Sequence, residues 1–421
     1  MNVRMSSLSW DVRKARIAVI VVAAIAFFSK TALAAATRGP ADVRFFEGFA
    51  RVIAETGPLR VYAEPLPGLP VYNHPPLASW MLLGMEKLTG FGVPFGPMIR
   101  FPACLADFVT VILVFEIVRR RGTLRTAVFC ALGAALCPVL VATSGYHGNT
   151  DSVAVMFAFA AAYLLIDREK PRAAGVAAAL CISVKLIPIV AVPLFFVAAW
   201  HLGRPALIRF SAGFAALFLV VWGPVIATVP AGLKANVLEY AGGNFSFWGV
   251  IRFARWAGVP EEYVQLLRGD GHYLIVLGLT AVGVWLVRRR PTDLPVAVAV
   301  TLGLLLLLST ASGVQYLAWP AAGLFVVGLW QGLAYGVVVG GVTTSVYSGQ
   351  RPVHWTVTEM AFGALGWAVL GVCVATGIHR VLSAARRTGA QGPPTGLPVD
   401  IAKPRAGTGT APPTAVASDR P

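Results

Sequence analysis

The sequence predicts an all-α fold, a polytopic membrane helix bundle of about twelve spans within a range of about 10–13. Three observations predict it. Of the 421 residues, 57% are hydrophobic and only 13% are charged, whereas a soluble domain has about a quarter of its residues charged. The mean hydropathy is +0.72. The chain also contains many apolar runs close to the roughly 20 residues that a spanning helix needs.

Residues 17–36 are predicted to form the first span. Their basic start and the small residues of "TALAAA" are also typical of a signal peptide that is removed from the mature protein. We favour a spanning helix with its basic end inside, because the loop that follows needs an anchor if it is to be held outside the membrane.

The basic residues indicate how the chain crosses the membrane. The net charge is +16, and the basic clusters fall between apolar runs, as the positive-inside rule requires of cytoplasmic loops. The sequence has neither a basic patch interleaved with aromatics nor a zinc-ligand pattern, so we predict no nucleic-acid partner. Both termini are then cytoplasmic. The further spans fall at 98–118, 125–143, 152–167, 172–187, 188–202, 207–229, 272–288, 292–310, 314–330, 331–347 and 358–378.

Two long segments remain outside the membrane in this arrangement, residues 37–97 and 230–271. Within the first, residues 40–56 predict a helix, because Phe46 and Phe49 fall on one face and the charged residues fall elsewhere. Shorter external segments are predicted at 144–151, 311–313 and 348–357.

Residues 76–89 are predicted to form a second external helix. Proline suits the first turn of a helix, so Pro75 and Pro76 mark its start. Counting this segment as a span would place the basic residues 119–125 outside, against the charge rule. We therefore interpret it as an amphipathic helix that lies in the external interface.

Residues 1–387 are predicted to form one transmembrane domain. Residues 388–421 are rich in Gly, Pro, Ala and Thr, a composition that buries no core and predicts a disordered cytoplasmic tail. The five cysteines all lie in apolar runs and have no spacing typical of disulfides or metal sites, which indicates small core residues.

Polar side chains are costly at membrane depth, so the ones present are candidates for function. Within span 98–118, Asp107 is expected to pair inside the bundle and Glu116 to lie at the interface. On the external side, an acid, two imidazoles, an amide and a cation are expected to line one cavity. The candidates there are Asp42, His74, His147, Asn149, Asp151, Lys185, Trp248, Gln315 and Tyr316.

Each candidate also has a simpler explanation. "NTD" at residues 149–151 offers helix-capping side chains. Lys185 could extend its charge to the interface, and Trp248 and Tyr316 could be interfacial belt aromatics. Neighbouring arginines could merely neutralise Asp42.

The order of several motifs resembles the multi-spanning glycosyltransferases that use lipid-phosphate sugars, the C-type fold. In that family a long external loop follows the first helix, with an acid near its start and a "Y-x-H/Y-P-P-L" element near its end. Here these are Asp42 and "VYNHPPL" at 71–77, and the next helix begins "IRFP". The segments "GYHGNTDSVAV", "SVKLIPIVAVP", "FSFWGVIRF" and "SGVQYLAW" also resemble the family, over about residues 17–330. Val43 follows the acid, a departure from the Asp-Glu pair of protein O-mannosyltransferases.

The resemblance implies a membrane glycosyltransferase that acts on the outer face. It would move a hexose or pentose, mannose favoured, from a polyprenyl-phosphate donor to a glycan, lipid or protein acceptor of the envelope. Asp42 would be the general base. Lys185, with Arg100 or His147, would meet the donor phosphate. A single displacement predicts inversion, and no cofactor is expected because a lipid-linked donor needs no nucleotide-binding loop.

Two other classes of function stay open. A transporter or flippase for a lipid-linked sugar would carry its polar residues at mid-membrane and show repeat symmetry between its halves; the sequence has no convincing repeat. A non-catalytic envelope assembly protein would tolerate the loss of Asp42. A divalent ion could be held by Asp42, His74, His147 and Asp151, but no spacing forces them together, and no metal site is predicted.

Overall fold

The structure, a computed structural model, describes residues 11–240, 248–349 and 356–390, the last four of these by their backbone only. Every regular element in these ranges is helical. Helical turns at Arg60–Tyr62 and Pro230–Leu233 lie between the longer helices. The longer helices are α1 Val12–Ala36, α2 Ala41–Thr56, α3 Pro76–Thr89, α4 Phe95–Arg119, α5 Leu124–His147, α6 Asp151–Ala162, α7 Pro171–Val184, α8 Ile187–His201, α9 Arg204–Thr228, α10 Val250–Trp256, α11 Glu261–Arg268, α12 Gly271–Arg289, α13 Leu294–Leu308, α14 Val314–Val327, α15 Leu329–Ser348 and α16 Val357–Ala390.

The all-α prediction is confirmed, and each of the twelve predicted spans has a counterpart helix. Seven helices in the described residues are long and apolar enough to cross a membrane, and α7, α8 and α14 are apolar but shorter. The number of spans itself stays a prediction. The predicted external segment 230–271 contains α10 and α11, two helices that were not predicted.

The last helix is longer than predicted. It continues past residue 378 to Ala390, because residues 379–387 are mostly good helix formers such as Ala, Leu and Arg. The prediction ended the helix where the apolar run ends, but a helix can continue into water. The rest of the predicted disordered tail lies outside the described residues.

The basic turns meet at one end of the bundle, which we name the basic end. Nη1 of Arg121 lies 2.9 and 3.0 Å from the two carboxylate oxygens of Asp167, and its Nη2 donates to the carbonyl of Thr292 over 2.9 Å. The guanidinium of Arg121 thus joins three turns that are all predicted to be cytoplasmic. The opposite end, where α1 ends and α2 begins, is named the loop end.

Small residues let α7 and α9 approach closely. A Cβ atom on Gly175 would clash with the carbonyl of Phe210, and one on Gly213 would clash with the carbonyl of Arg172. Such contacts are typical of membrane helix pairs, because van der Waals packing, not the hydrophobic effect, holds helices together in lipid.

The two predicted external helices form a separate apolar cluster at the loop end. α2 buries Phe46, Phe49 and Ile53, as the predicted amphipathic pattern requires, and these side chains pack with Tyr72 and with Leu82 of α3. The predicted bounds 40–56 and 76–89 agree with α2 and α3 to within one residue.

Two ion pairs join α1 to α4. Nζ of Lys30 lies 2.7 Å from Oδ2 of Asp107, and both side chains are almost wholly buried. Nearer the basic end, Glu116 accepts from Arg16 of α1 over 2.8 Å and also from Arg119. Asp107 therefore pairs inside the bundle, as predicted.

We expect Lys30→Met to destabilise the protein by about 3 kcal/mol or more, because Asp107 would be left buried without a countercharge. Equilibrium unfolding in a detergent mixture measures this free energy. The control is Lys30→Met combined with Asp107→Leu, which removes both charges and should recover most of the loss. Wild-type stability of the single variant would contradict this role for the pair.

Candidate functional site

The loop end brings together residues that are far apart in the chain. Asp42 lies in the first turn of α2, where the helix N-terminus favours a negative charge. His147 ends α5, and Lys185 directly follows α7. The structure thus places three of the predicted site residues near one another.

Asp42 and His147 are in direct contact. Oδ2 of Asp42 lies 3.1 Å from Nε2 of His147, although the ring N–H does not align well enough for a hydrogen bond. The His147 side chain is 4% exposed, whereas that of Asp42 is 39% exposed. The carboxylate therefore has one oxygen near a buried imidazole and still reaches the surface.

A third residue completes this contact. The hydroxyl of Tyr347, near the end of α15, lies 2.8 Å from Nδ1 of His147. Tyr347 was not among the predicted site residues. It lies 200 positions from His147, and the one sequence signal was a tyrosine at the external end of a predicted span.

The surroundings of Asp42 favour its charged form. Burial raises the pKa of the carboxyl, but the contact and charge of His147 and the charge of Lys185 outweigh it, so the pKa lies below its ordinary value of 3.8. Lys185 is half-buried, and its side-chain ammonium forms no ion pair or hydrogen bond with the residues that the structure describes. A cation without a direct ion pair thus lies within electrostatic range of Asp42.

An irregular turn orients His147. Val141–His147 is a π-helical turn, a feature that is frequent at functional sites. It ends at Gly148, whose φ of 80° is left-handed and favours glycine. A Cβ atom there would also clash with Cγ of Arg100. Both the backbone and the space at this position therefore require glycine.

Arg100 lies buried beside the site. It was expected to meet the donor phosphate, but it is wholly buried. Its Nη1 donates to the carbonyls of Ala34 and Thr37 over 2.7 and 2.9 Å, which closes the C-terminal end of α1. The sequence did not reveal that backbone carbonyls would accept from Nη1. The other two nitrogens, Nε and Nη2, are buried and have no hydrogen-bond partner among the described residues. We assign Arg100 to the support of the site.

His74 lies among aromatic rings. Its ring centroid is 5.0 Å from that of Phe46 and 5.5 Å from that of Tyr72. Burial lowers the pKa of His74 well below its ordinary value, and the charge of Lys185 lowers it further. The charge of Lys185 thus lowers the pKa of both His74 and Asp42. His74 forms no hydrogen bond or ion pair with Asp42 among the described residues.

Asp151 anchors an aromatic pair. Its Oδ1 accepts from Nε1 of Trp319 over 2.8 Å, and Tyr316 stacks on Trp319 with centroids 4.4 Å apart. Oδ2 of Asp151 is buried and has no hydrogen-bond partner in the described part of the chain. Asn149 is turned toward its neighbour, since its Oδ1 accepts from the N–H of Thr150 over 2.6 Å.

Trp248 lies in the packed interior. It was a candidate for substrate binding, but its indole is fully buried and its Nε1 donates to the carbonyl of Gly363 over 2.8 Å. Its backbone N–H donates to Ser312 over 2.8 Å. Trp248 is therefore a packing residue. Gln315 is half-buried in the turn that precedes Tyr316.

The residues considered for a divalent ion do not assemble into a ligand set. In the described ranges, no group of three or more His, Cys, Asp or Glu side chains is placed to hold a metal. The five cysteines are buried and free, as the sequence analysis predicted for core residues.

Comparisons with known proteins identify the class of the fold. The family model described as dolichyl-phosphate-mannose-protein mannosyltransferase matches residues 73–229, less than half of the chain. The crystal structure of ArnT from Cupriavidus metallidurans bound to undecaprenyl phosphate is similar, with a TM-score of 0.50 and 15% identity, over 89% of this chain and 79% of that chain. The resemblance inferred from the motifs is thus confirmed: the chain is a multi-pass membrane protein with the C-type glycosyltransferase fold.

A second ArnT structure from the same organism, in the apo state, has a TM-score of 0.49 and 15% identity, and covers 87% of this chain and 77% of that chain. No curated protein sequence matches the chain significantly.

We expect Gly148→Ala to destabilise the protein by about 2 kcal/mol or more, since it adds a strained left-handed residue and pushes against Arg100. Thermal unfolding in detergent measures the change. Gly84→Ala is the matched control. Gly84 lies within α3 with open space around its Cα, and alanine there should be neutral or stabilising by about 0.5–1 kcal/mol. Equal effects of the two substitutions would contradict the assigned strain.

Proposed function

We propose that the protein is a glycosyltransferase that moves a hexose or pentose, with mannose favoured, from a polyprenyl-phosphate donor to an envelope acceptor. The observation that carries the proposal is the proximity of Asp42 and Lys185 at the loop end. A partly exposed carboxylate with a lowered pKa lies within electrostatic range of a cation that has no partner among the described residues.

Asp42 acts as the general base. The acceptor hydroxyl gives its proton to the carboxylate while its oxygen attacks the anomeric carbon of the sugar. The bond between that carbon and the phosphate oxygen breaks, and its electron pair leaves with the lipid phosphate. One displacement at this carbon inverts its configuration.

Lys185 stabilises the leaving group. A phosphate that departs from the sugar gains negative charge, and a preorganised cation lowers the free energy of that state. Lys185 suits this role better than Arg100, because Arg100 is wholly buried and already donates to the end of α1.

The comparisons support the substrate class. The matched family is described by its use of dolichyl-phosphate-mannose, a polyprenyl-phosphate sugar. The ArnT structure with the same fold is bound to undecaprenyl phosphate, which is the product that such a donor leaves after transfer.

The loop end faces away from the cytoplasm in this proposal. The basic turns at the opposite end, joined through Arg121 and Asp167, are typical of the cytoplasmic side, and both termini then lie in the cytoplasm. The acceptor is a glycan, lipid or protein that reaches the outer face.

We expect Asp42→Asn to lower the rate of sugar transfer by about 10²- to 10⁴-fold, the usual contribution of a general base. The assay incubates purified protein in lipid nanodiscs with a panel of polyprenyl-phosphate hexoses and pentoses and candidate envelope acceptors, and measures released polyprenyl phosphate.

Glu64→Gln is the matched control, because Glu64 lies in the same external segment and makes only a loose ion pair with Arg60, 3.8 Å apart. It should transfer at the wild-type rate. A wild-type rate for Asp42→Asn would remove the proposed base, and absence of release from every donor by the wild-type protein would overturn the proposed function.

A further inference from the structure

We propose that Tyr347 is a positioning residue that holds the imidazole of His147 with its Nε2 toward Asp42. This inference rests on the proposed function and deepens it, because it names a group that acts on the base through a second side chain. Tyr347 itself forms no hydrogen bond with Asp42 in the described structure.

His147 makes two contacts of different length, a shorter one with Tyr347 and a longer one with Asp42. The hydroxyl of Tyr347 lies 2.8 Å from Nδ1 of His147, and the two rings lie against each other with centroids 5.7 Å apart. The contact of His147 with Asp42 is longer, 3.1 Å, and less well aligned. Because the Asp42 side chain is also partly exposed, the tyrosine is the stronger restraint on the buried ring.

This contact also selects the position of a proton. In neutral histidine one ring nitrogen is a donor and the other an acceptor, and the hydrogen bond at one nitrogen decides the state of the other. When the Tyr347 hydroxyl donates to Nδ1, the ring proton resides on Nε2, where it faces Oδ2 of Asp42. The carboxylate is then stabilised and its second oxygen is left for the acceptor hydroxyl.

Other ionisable groups lie near the three residues on the adjoining helices. They are Lys185 after α7, Asp151 of α6, Tyr316 at the start of α14, Tyr146 of α5 and Arg100 of α4. None of them is within hydrogen-bond distance of the His147 ring among the described contacts. Tyr347 is therefore the one described side chain that hydrogen-bonds to Nδ1.

The test is Tyr347→Phe, which removes the hydroxyl and keeps the ring. We expect kcat/KM for sugar transfer to fall about tenfold, the worth of one hydrogen bond. We also expect the acid limb of the pH profile to move to higher pH. The sign follows from Asp42: His147 now lowers its pKa, so a loosened His147 lets that pKa rise, and the base becomes protonated at a higher pH.

Tyr146→Phe is the matched control. Tyr146 packs against Tyr347 with its ring tilted, the centroids 5.2 Å apart, and its hydroxyl forms no hydrogen bond with the described residues. Its loss should leave the acid limb in place. If Tyr347 has only a packing role, Tyr347→Phe will lower the rate equally at every pH, and that result would overturn the inference.

His147→Gln gives a second, independent arm. A glutamine amide can donate to Asp42 from the position of Nε2 without help from Tyr347. In that background, Tyr347→Phe should change kcat/KM by less than about twofold if the tyrosine acts only through the ring. A second drop of about tenfold would contradict the inference.

A spectroscopic readout separates this inference from the proposed function. Nitrogen-15 NMR of histidine-labelled protein, with His147 assigned from the His147→Gln spectrum, reports which ring nitrogen carries the proton. The wild-type ring should be protonated at Nε2, and this form should no longer dominate in Tyr347→Phe. Unchanged spectra would overturn the inference even in an active enzyme, and a changed spectrum would uphold it even if no donor is used.

Discussion

The arrangement of the site depends on one buried side chain, Arg100. It donates to the carbonyls at the end of α1, and it packs against Gly39, three residues before Asp42, and against Gly148, one residue after His147. These carbonyls offset part of the cost of burying the guanidinium, since unpaired polar groups are costly in an apolar interior. Its Nε and Nη2 have no hydrogen-bond partner among the described residues. The turns that carry Asp42 and His147 thus pack against the same group.

Two buried ion pairs elsewhere in the protein differ from the charged residues of the proposed site. Within the bundle Lys30 pairs with Asp107, and at the basic end Arg121 pairs with Asp167. These pairs join neighbouring segments, and each buried charge in them has a countercharge. Asp42 and Lys185 differ from them, because neither is wholly buried and they are not joined to each other in a direct pair. A charged substrate can therefore be bound there without breaking an existing ion pair.

Much of the fold was predictable, because the spacing of apolar residues and the prolines at the starts of helices are local signals in the sequence. The bounds of α2 and α3 followed from a face of phenylalanines and from Pro76. The site was less predictable. Arg100 and Trp248 were assigned to substrate because a sequence does not show which polar atoms the backbone will occupy. Tyr347 was missed, because nothing near residue 347 indicates a histidine 200 positions away. Residues that act through a distant partner leave no local pattern.

The central claim is that Asp42 removes the acceptor proton in a single displacement at the anomeric carbon. The most direct measurement is the configuration of the sugar product by NMR, from a polyprenyl-phosphate donor of known configuration. The account predicts that every transferred sugar has the opposite configuration to the donor. Retained configuration would mean two displacements through an intermediate, and that would contradict the role given to Asp42.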